Sequence, residues 1–377
     1  MNRRRFLQTS AAALLAARVQ AASTKAFSFV LLGDLHFDKP EHHDFEWVKD
    51  HSPDSVRQSA NYSKLTKEIM PRLFATVRET IAERGRAGLP VSFVLQVGDL
   101  VEGLCGNEEL AATQDREALD FVRGAALGVP FLFTKGNHDV TGPGSQEVYR
   151  SIFHPFLTEQ VRALAPQAGE LKSGAYTTTI GHAQFAFFDA YDAESLAWLE
   201  SVAAARTAEH LFVVIHPPVV PYGARATWHL YSSAKDQSKR EKLLELLGRQ
   251  EAFVLGGHIH KYNEIARVVG KGRFAQLAVS SVINAAETKA KDVLSGVEQY
   301  NGDQIRVEPS HSPDTELLRR AVYEVERPFV KAFEYADLPG YAVVTVDGAR
   351  VSAEMFAGIS KDRWRSVDLT ALRALAV

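Results

Sequence analysis

Five short apolar runs recur along the chain, each of four to six residues and each closed by Gly, Asp, His or Pro: Phe27–Leu32 before Gly33-Asp34, Ser92–Val97 before Gly98-Asp99, Pro130–Thr134 before Gly136-Asn137-His138, Leu211–Ile215 before His216-Pro217, and Ala252–Leu255 before Gly256-Gly257-His258. Such runs predict strands buried on both faces, because a strand with one wet face alternates instead. Between them lie helical patterns. Residues 63–84 carry Leu65, Ile69, Leu73, Val77 and Ile81 at intervals of four, and 113–127, 194–206 and 236–248 read the same way. Alternation of strand and helix predicts an α/β fold. Three apolar pairs, Tyr176–Ile180 with Gln184–Asp189, Glu264–Val269 with Arg273–Ala278, and Tyr341–Val346 with Val351–Phe356, predict hairpins across glycine turns. The sheets are therefore expected to be mixed. Residues 37–62 and 285–316 are polar, fit neither pattern, and read as insertions near an active-site rim, the first as a long surface loop.

Composition sharpens this picture. The chain has 377 residues, 46% of them hydrophobic, which is ample for a large core. No linker or repeat divides it, so one elaborated domain over 22–377 is expected. A single cysteine, Cys105, excludes a disulfide scaffold and Cys-rich zinc sites. Any metal must then be held by His, Asp, Glu or Asn.

Residues 1–21 read as an export signal: Arg3, Arg4 and Arg5, an apolar run from Phe6 to Ala17, then Val19 and Ala21 set for small-residue cleavage. The run is too short for a membrane span, and no second one occurs, so the mature chain is expected to have no integral membrane segment. Asn2-Arg3-Arg4-Arg5-Phe6-Leu7-Gln8 resembles the bacterial twin-arginine signal, with Gln8 where Lys is common. An ordinary secretory signal is the alternative. Either implies a periplasmic or secreted protein. Removal of this segment takes away four arginines and no acid, moving the net charge from −3 to −7. An acidic mature chain argues against nucleic acid as partner.

The polar residues closing the strands form one set: Asp34 and His36, Asp99, Asn137-His138-Asp139, His216, and His258 with His260. Side chains at the ends of neighbouring parallel strands converge in one crevice. Seven O and N donors exceed one tetrahedral ion and suit two ions sharing a carboxylate. The order GDLH, GDLVEG, GNHD, His-Pro-Pro, GHIH resembles the calcineurin-like metallophosphoesterase superfamily over residues 33–260.

That resemblance implies a four-layer α-β-β-α sandwich of two mixed sheets. It implies that Asp34, His36 and His260 bind one metal, that Asn137, His216 and His258 bind a second, and that Asp99 bridges them. His138 would face the substrate and protonate or polarise the leaving oxygen, with Asp139 orienting its ring. Catalysis would be in-line attack by a metal-bridging hydroxide. The cofactors would be two divalent or mixed-valence transition metal ions among Mn, Fe, Zn, Co and Ni, whose identity mixed N and O ligands leave open. Purple acid phosphatases carry Gly-Asp-x-Gly first and a Tyr three residues after the bridging Asp; His36 and Glu102 stand there instead. The blocks look more like those of phosphodiesterases than of protein phosphatases.

The expected activity is thus exported, metal-dependent hydrolysis of a small-molecule phosphodiester. Alternatives are a phosphomonoesterase on the same site and, remotely, a non-catalytic metal-binding protein; the oligomeric state does not follow from the sequence. The remaining histidines (42, 43, 51, 154, 182, 210, 229 and 311) read as surface or packing residues. Cys105 reads as a small buried side chain. In the aromatic stretch after His216, Tyr222, Trp228 and Tyr231 are candidates to stack on a substrate ring.

Overall fold

The structure is a computed structural model, described here for residues 26–223, 228–301 and 316–375. Residues 1–21 and His311 lie outside the described residues. Fourteen strands run in chain order: β1 Phe27–Leu32, β2 Val91–Gln96, β3 Phe131–Phe133, β4 Tyr176–Ile180, β5 Ala183–Phe188, β6 His210–Ile215, β7 Phe253–Gly256, β8 Tyr262–Val269, β9 Gly272–Ala278, β10 Lys291–Ser295, β11 Val330–Asp337, β12 Gly340–Asp347, β13 Arg350–Ala357 and β14 Arg363–Asp368. They form a six-stranded sheet, β14-β13-β12-β1-β2-β3, and an eight-stranded sheet, β10-β11-β8-β9-β7-β6-β5-β4. In the six-stranded sheet the parallel strands β1-β2-β3 form one end, with antiparallel strands beyond β1; in the eight-stranded sheet the parallel strands β5-β6-β7-β9 form the centre, flanked by antiparallel strands. Both sheets are mixed, as expected, and the three hairpins form.

The period-2 rule explains why the central strands read as unbroken apolar runs. In β6, Phe212 and Val214 enter the core between the sheets, while Leu211, Val213 and Ile215 join Leu199, Leu243 and Leu247 of the covering helices Ser195–Ala204 and Gln237–Arg249. β5 divides in the same way, with Phe185 and Phe187 on one side and Ala186 and Phe188 on the other. On the six-stranded sheet, Phe74 of helix Met70–Arg86 packs on Phe131 of β3 at 6.1 Å and on Phe121 of helix Glu108–Gly124 at 5.0 Å. Helix, sheet, sheet and helix thus make four layers.

A block of phenylalanines joins the two sheets. Phe29 of β1 stacks on Phe93 of β2 at 5.1 Å and meets Phe185 of β5 and Phe212 of β6 edge-on at 5.2 and 5.7 Å. Phe212 continues to Phe253 of β7 at 5.2 Å. Each buried ring contributes roughly 1.5–3 kcal/mol, and each such pair adds about 0.5–1.5 kcal/mol.

Residues 37–62 are not the expected surface loop. They hold a helix, Phe45–His51, and the first eight of the fourteen residues of a second, Ser55–Glu68. Only Ser59, Tyr62, Leu65 and Thr66 of that second helix are buried, so its buried stripe is narrow and half polar. A hydrophobicity pattern misses such a stripe. The single helix read over 63–84 is in fact two, broken at Ile69–Met70 with Pro71 in the first turn of Met70–Arg86. In the second polar stretch, β10 adds an exposed edge strand beside β11.

Candidate active site

All seven expected ligands sit just beyond the C-terminal ends of β1, β2, β3, β6 and β7. Six of them meet in two groups, Asp34, His36 and His260, and Asp99, His216 and His258, while His36 also forms a third group with Glu102 and His138. His36 Nε2 lies 3.1 Å from His260 Nε2, and Asp34 Oδ1 lies 3.5 Å from His260 Nε2. In the second group His216 Nε2 is 3.1 Å from Asp99 Oδ2, 3.2 Å from Asn137 Oδ1 and 3.1 Å from His258 Nδ1. Asp99 also approaches His36 Nε2 at 3.8 Å, so its carboxylate stands between the groups. Each group draws ligands from both sheets.

Backbone geometry aims these side chains. His36, Asp99, His258 and His260 all have positive φ, between 49° and 69°. L-residues adopt that region at a cost of order 1–3 kcal/mol each, and strain of this kind gathers at functional sites. Two glycines give the loops room to close. Gly98 has φ 99°, and a Cβ on Gly136 would lie 2.1 Å from the Asp99 amide nitrogen.

The electrostatics call for cations. His216 Nδ1 donates to the Val97 carbonyl at 2.9 Å, which turns Nε2 toward two oxygen acceptors, Asp99 Oδ2 and Asn137 Oδ1, and toward the His258 ring. Burial pulls the His216 pKa down, but Asp99 beside it outweighs this and lifts it to about 9. Burial, then the neighbouring His216, pushes His258 down to about 3. Burial opposes ionisation of Asp99 too, yet His216 and His138 hold it well below the ordinary carboxylate range. The donor set therefore fits metal ions: Asp34, His36 and His260 could hold one, Asn137, His216 and His258 another, with Asp99 between them.

His138 is no member of either ligand cluster of the seven; 20% of its side chain is exposed. Its backbone amide donates to Asp99 Oδ1 at 2.8 Å. The ring is oriented by Glu102, whose carbonyl accepts from His138 Nδ1 at 2.7 Å and whose Oε2 lies 3.3 Å from the same nitrogen. The orienting role expected of Asp139 is thus corrected. The Asp139 carboxylate accepts from the amides of Gly136, Asp99 and Val101 at 2.7, 3.1 and 3.1 Å, and so ties the two loops together. Burial, then Asp99, raises its pKa to about 6.

Glu102 is the functional residue that sequence reasoning missed. Its Oε2 also accepts from His36 Nδ1 at 2.8 Å, it is fully buried, and burial lifts its pKa to about 8. One buried carboxylate thus contacts both a metal ligand and the acid candidate. The signal was present in GDLVEG, where Glu102 was noted only as the place of a missing Tyr. Tyr62, from the supposed loop, stacks on the His36 ring at 4.2 Å and 6°.

His42 and His43 surround the buried Asp38 carboxylate at 3.7 and 2.7 Å rather than reaching the ligands. His210 bonds the Gly348 carbonyl. Cys105 is buried against Gln114, and burial pushes its thiol up. Of the aromatic candidates, Tyr222 is wholly buried, Lys239 lies over the Tyr231 ring, and Trp228 is 41% exposed with its ring 4.6 Å from that of His258.

A family model for calcineurin-like phosphoesterase matches residues 27–262. The chain belongs to the calcineurin-like phosphoesterases. It is accordingly a hydrolase of phosphoric ester bonds, and the family implies divalent metal ions at the clusters just described. No curated protein sequence matches this phosphoesterase significantly. Among solved structures, PhoD superposes with a TM-score of 0.52 at 12% identity, covering 92% of this chain and 69% of that one. The purple acid phosphatase PPD1 from yellow lupin (Lupinus luteus) superposes with a TM-score of 0.51 at 14% identity, covering 92% of this chain and 54% of that one. This phosphoesterase therefore spans about half the length of the lupin enzyme. At such identity both likenesses are of fold.

Proposed function

We propose that this phosphoesterase is an exported, dinuclear-metal phosphodiesterase acting on a small molecule. The observation that carries the diester reading is a cleft of about 1030 Å³ that opens beside the ligand His260, room for a second alcohol arm on the phosphorus. When bound, the metals would lower the pKa of water and offset charge on the phosphoryl oxygens. Residues of the chain do the rest. His138, held at Nδ1 by Glu102, presents Nε2 to protonate the departing oxygen. The carboxylates of Glu102 and Asp99 favour its protonated form, more than offsetting the burial that opposes it. Among the described residues no helix is long and apolar enough to cross a membrane. Export rests on Arg3, Arg4 and the apolar run behind them.

The test is hydrolysis of bis-p-nitrophenyl phosphate against p-nitrophenyl phosphate by enzyme loaded in turn with Mn, Fe, Zn, Co and Ni. The diester is expected to give the higher kcat/KM, and His138→Ala to lower kcat by about 10²-fold or more on an alkyl diester, whose departing alkoxide needs the proton. A preference for the monoester would make the enzyme a phosphatase. Replacement of Arg3 and Arg4 by lysine is expected to leave the protein in the cytoplasm; undiminished export would remove the twin-arginine reading.

A further inference from the structure

The cleft beside His260 has walls of a distinct chemistry. Helix Ser55–Glu68 supplies Gln58 and Asn61 on one side, and Asn284 and the Lys261–Asp337 ion pair at 2.8 Å face them. Apolar surface in the cleft comes from isolated prolines, Val282 and the Tyr62 ring. The helix adds one charge of each sign, Asp54 and Arg57, so with Lys261 and Asp337 the walls carry no net charge. Such walls offer little to an acyl chain, which needs continuous apolar surface, or to a second anionic group, which needs an excess of cations.

What the walls do offer is paired donors and acceptors. Each side-chain amide carries two N–H donors and a carbonyl acceptor. Asn61 Nδ2 reaches Asn284 Oδ1 across the cleft at 3.4 Å, a contact that uses neither Asn61 Oδ1 nor the Asn284 amide N–H groups. Gln58 Nε2 bonds the Tyr62 hydroxyl at 3.1 Å, leaving Gln58 Oε1 as a further acceptor. Alternating donors and acceptors match vicinal hydroxyls, each of which donates and accepts. The helix also fixes the distance to the chemistry. Tyr62 stacks on the ligand His36, and Asn61 and Gln58 lie one and four residues before it, so these amides stand within about 6 Å along the helix axis of the residue touching the metal ligand.

We infer that the cleft selects a phosphodiester whose retained alcohol is a polyol, a glycerol or a sugar, with Asn61 and Asn284 as specificity-determining residues. This rests on the diesterase reading above. In the reaction water adds at phosphorus, the bond to the other alcohol breaks, and the polyol leaves as its phosphomonoester.

The experiment compares p-nitrophenyl diesters that share one leaving group: propyl, 2,3-dihydroxypropyl and glucos-6-yl p-nitrophenyl phosphate. Wild-type kcat/KM is expected to be about tenfold or more higher for the diol or the sugar than for the propyl ester, the yield of one or two hydrogen bonds. Whichever of the two is preferred identifies glycerol or sugar as the source. N61A and N284A are each expected to bring that ratio to within about threefold, with melting temperatures unchanged because both side chains are exposed. Equal kcat/KM for all three esters, or a ratio that survives in both variants, overturns the polyol inference and leaves the diesterase standing. Failure of metal-loaded enzyme to cleave any of the three overturns both.

Discussion

Above the pH of about 8 at which its buried carboxyl ionises, replacing Glu102 by glutamine removes one charge and little else. The amide fills the same buried space, and the Glu102 backbone carbonyl still accepts from His138 Nδ1 at 2.7 Å. What goes is a carboxylate oxygen 3.3 Å from His138 Nδ1 and 2.8 Å from His36 Nδ1. Two unit charges 3.3 Å apart at an effective dielectric constant near 20 interact by roughly 5 kcal/mol. The imidazolium retains part of its stabilisation from Asp99, so a loss of about 2–4 kcal/mol in support for the protonated ring is expected, or about 30- to 10³-fold in rate. Leaving-group dependence separates the two contacts. A nitrophenolate departs with little help, whereas an alkoxide needs the proton. Assayed above about pH 8, where Glu102 is ionised, E102Q is therefore expected to lower kcat much more for an alkyl diester than for a p-nitrophenyl diester, in parallel with His138→Ala, at unchanged metal content by elemental analysis. An equal loss on both substrates, together with lost metal, would show that Glu102 acts through His36 alone and would refute this reasoning.

Two further outcomes follow from buried groups. Burial raises Glu264 to about 7, opposed by Arg365 at 3.0 Å, with Glu334 nearby. Its folded-state pKa exceeds its ordinary value, so its contribution is complete below about pH 4.5 and lost as pH rises through about 7, some 3 kcal/mol in all; urea unfolding of wild type and Glu264→Gln from pH 4.5 to 8 should diverge by about that amount, and parallel curves would sink the idea. Gly136→Ala places a methyl 2.1 Å from the Asp99 amide nitrogen; it should cost 1–3 kcal/mol or more of stability and about 10²-fold in kcat, and a variant as active as wild type would mean the loop yields freely.

Much of the fold was legible because its signals are local. The central strands are dry on both faces, and that leaves apolar runs that polar residues close. The ligands were legible because each stands at such a closure. Three features were not. β14 is a half-exposed edge strand, Arg-Trp-Arg-Ser-Val-Asp, with no apolar period. Helix Ser55–Glu68 buries a narrow stripe of which two members are Ser59 and Thr66. The partner of His138 depended on where a turn directs one carbonyl and one carboxylate, which is tertiary information; adjacency in the chain suggested Asp139, and the fold supplied Glu102.

The composition of the two ligand groups has a mechanical consequence. One ion would bind Asp34 and His36 from the six-stranded sheet and His260 from the eight-stranded one; the other would bind Asn137 from the first and His216 and His258 from the second. Sliding of one sheet over the other is then the motion that stretches both coordination shells at once. The stiffness of that shear is set far from the ions, by the phenylalanine block joining β1 and β2 to β5, β6 and β7. A cavity opened there, by Phe185→Leu for example, would touch no ligand and is still expected to loosen the spacing of the two ligand groups.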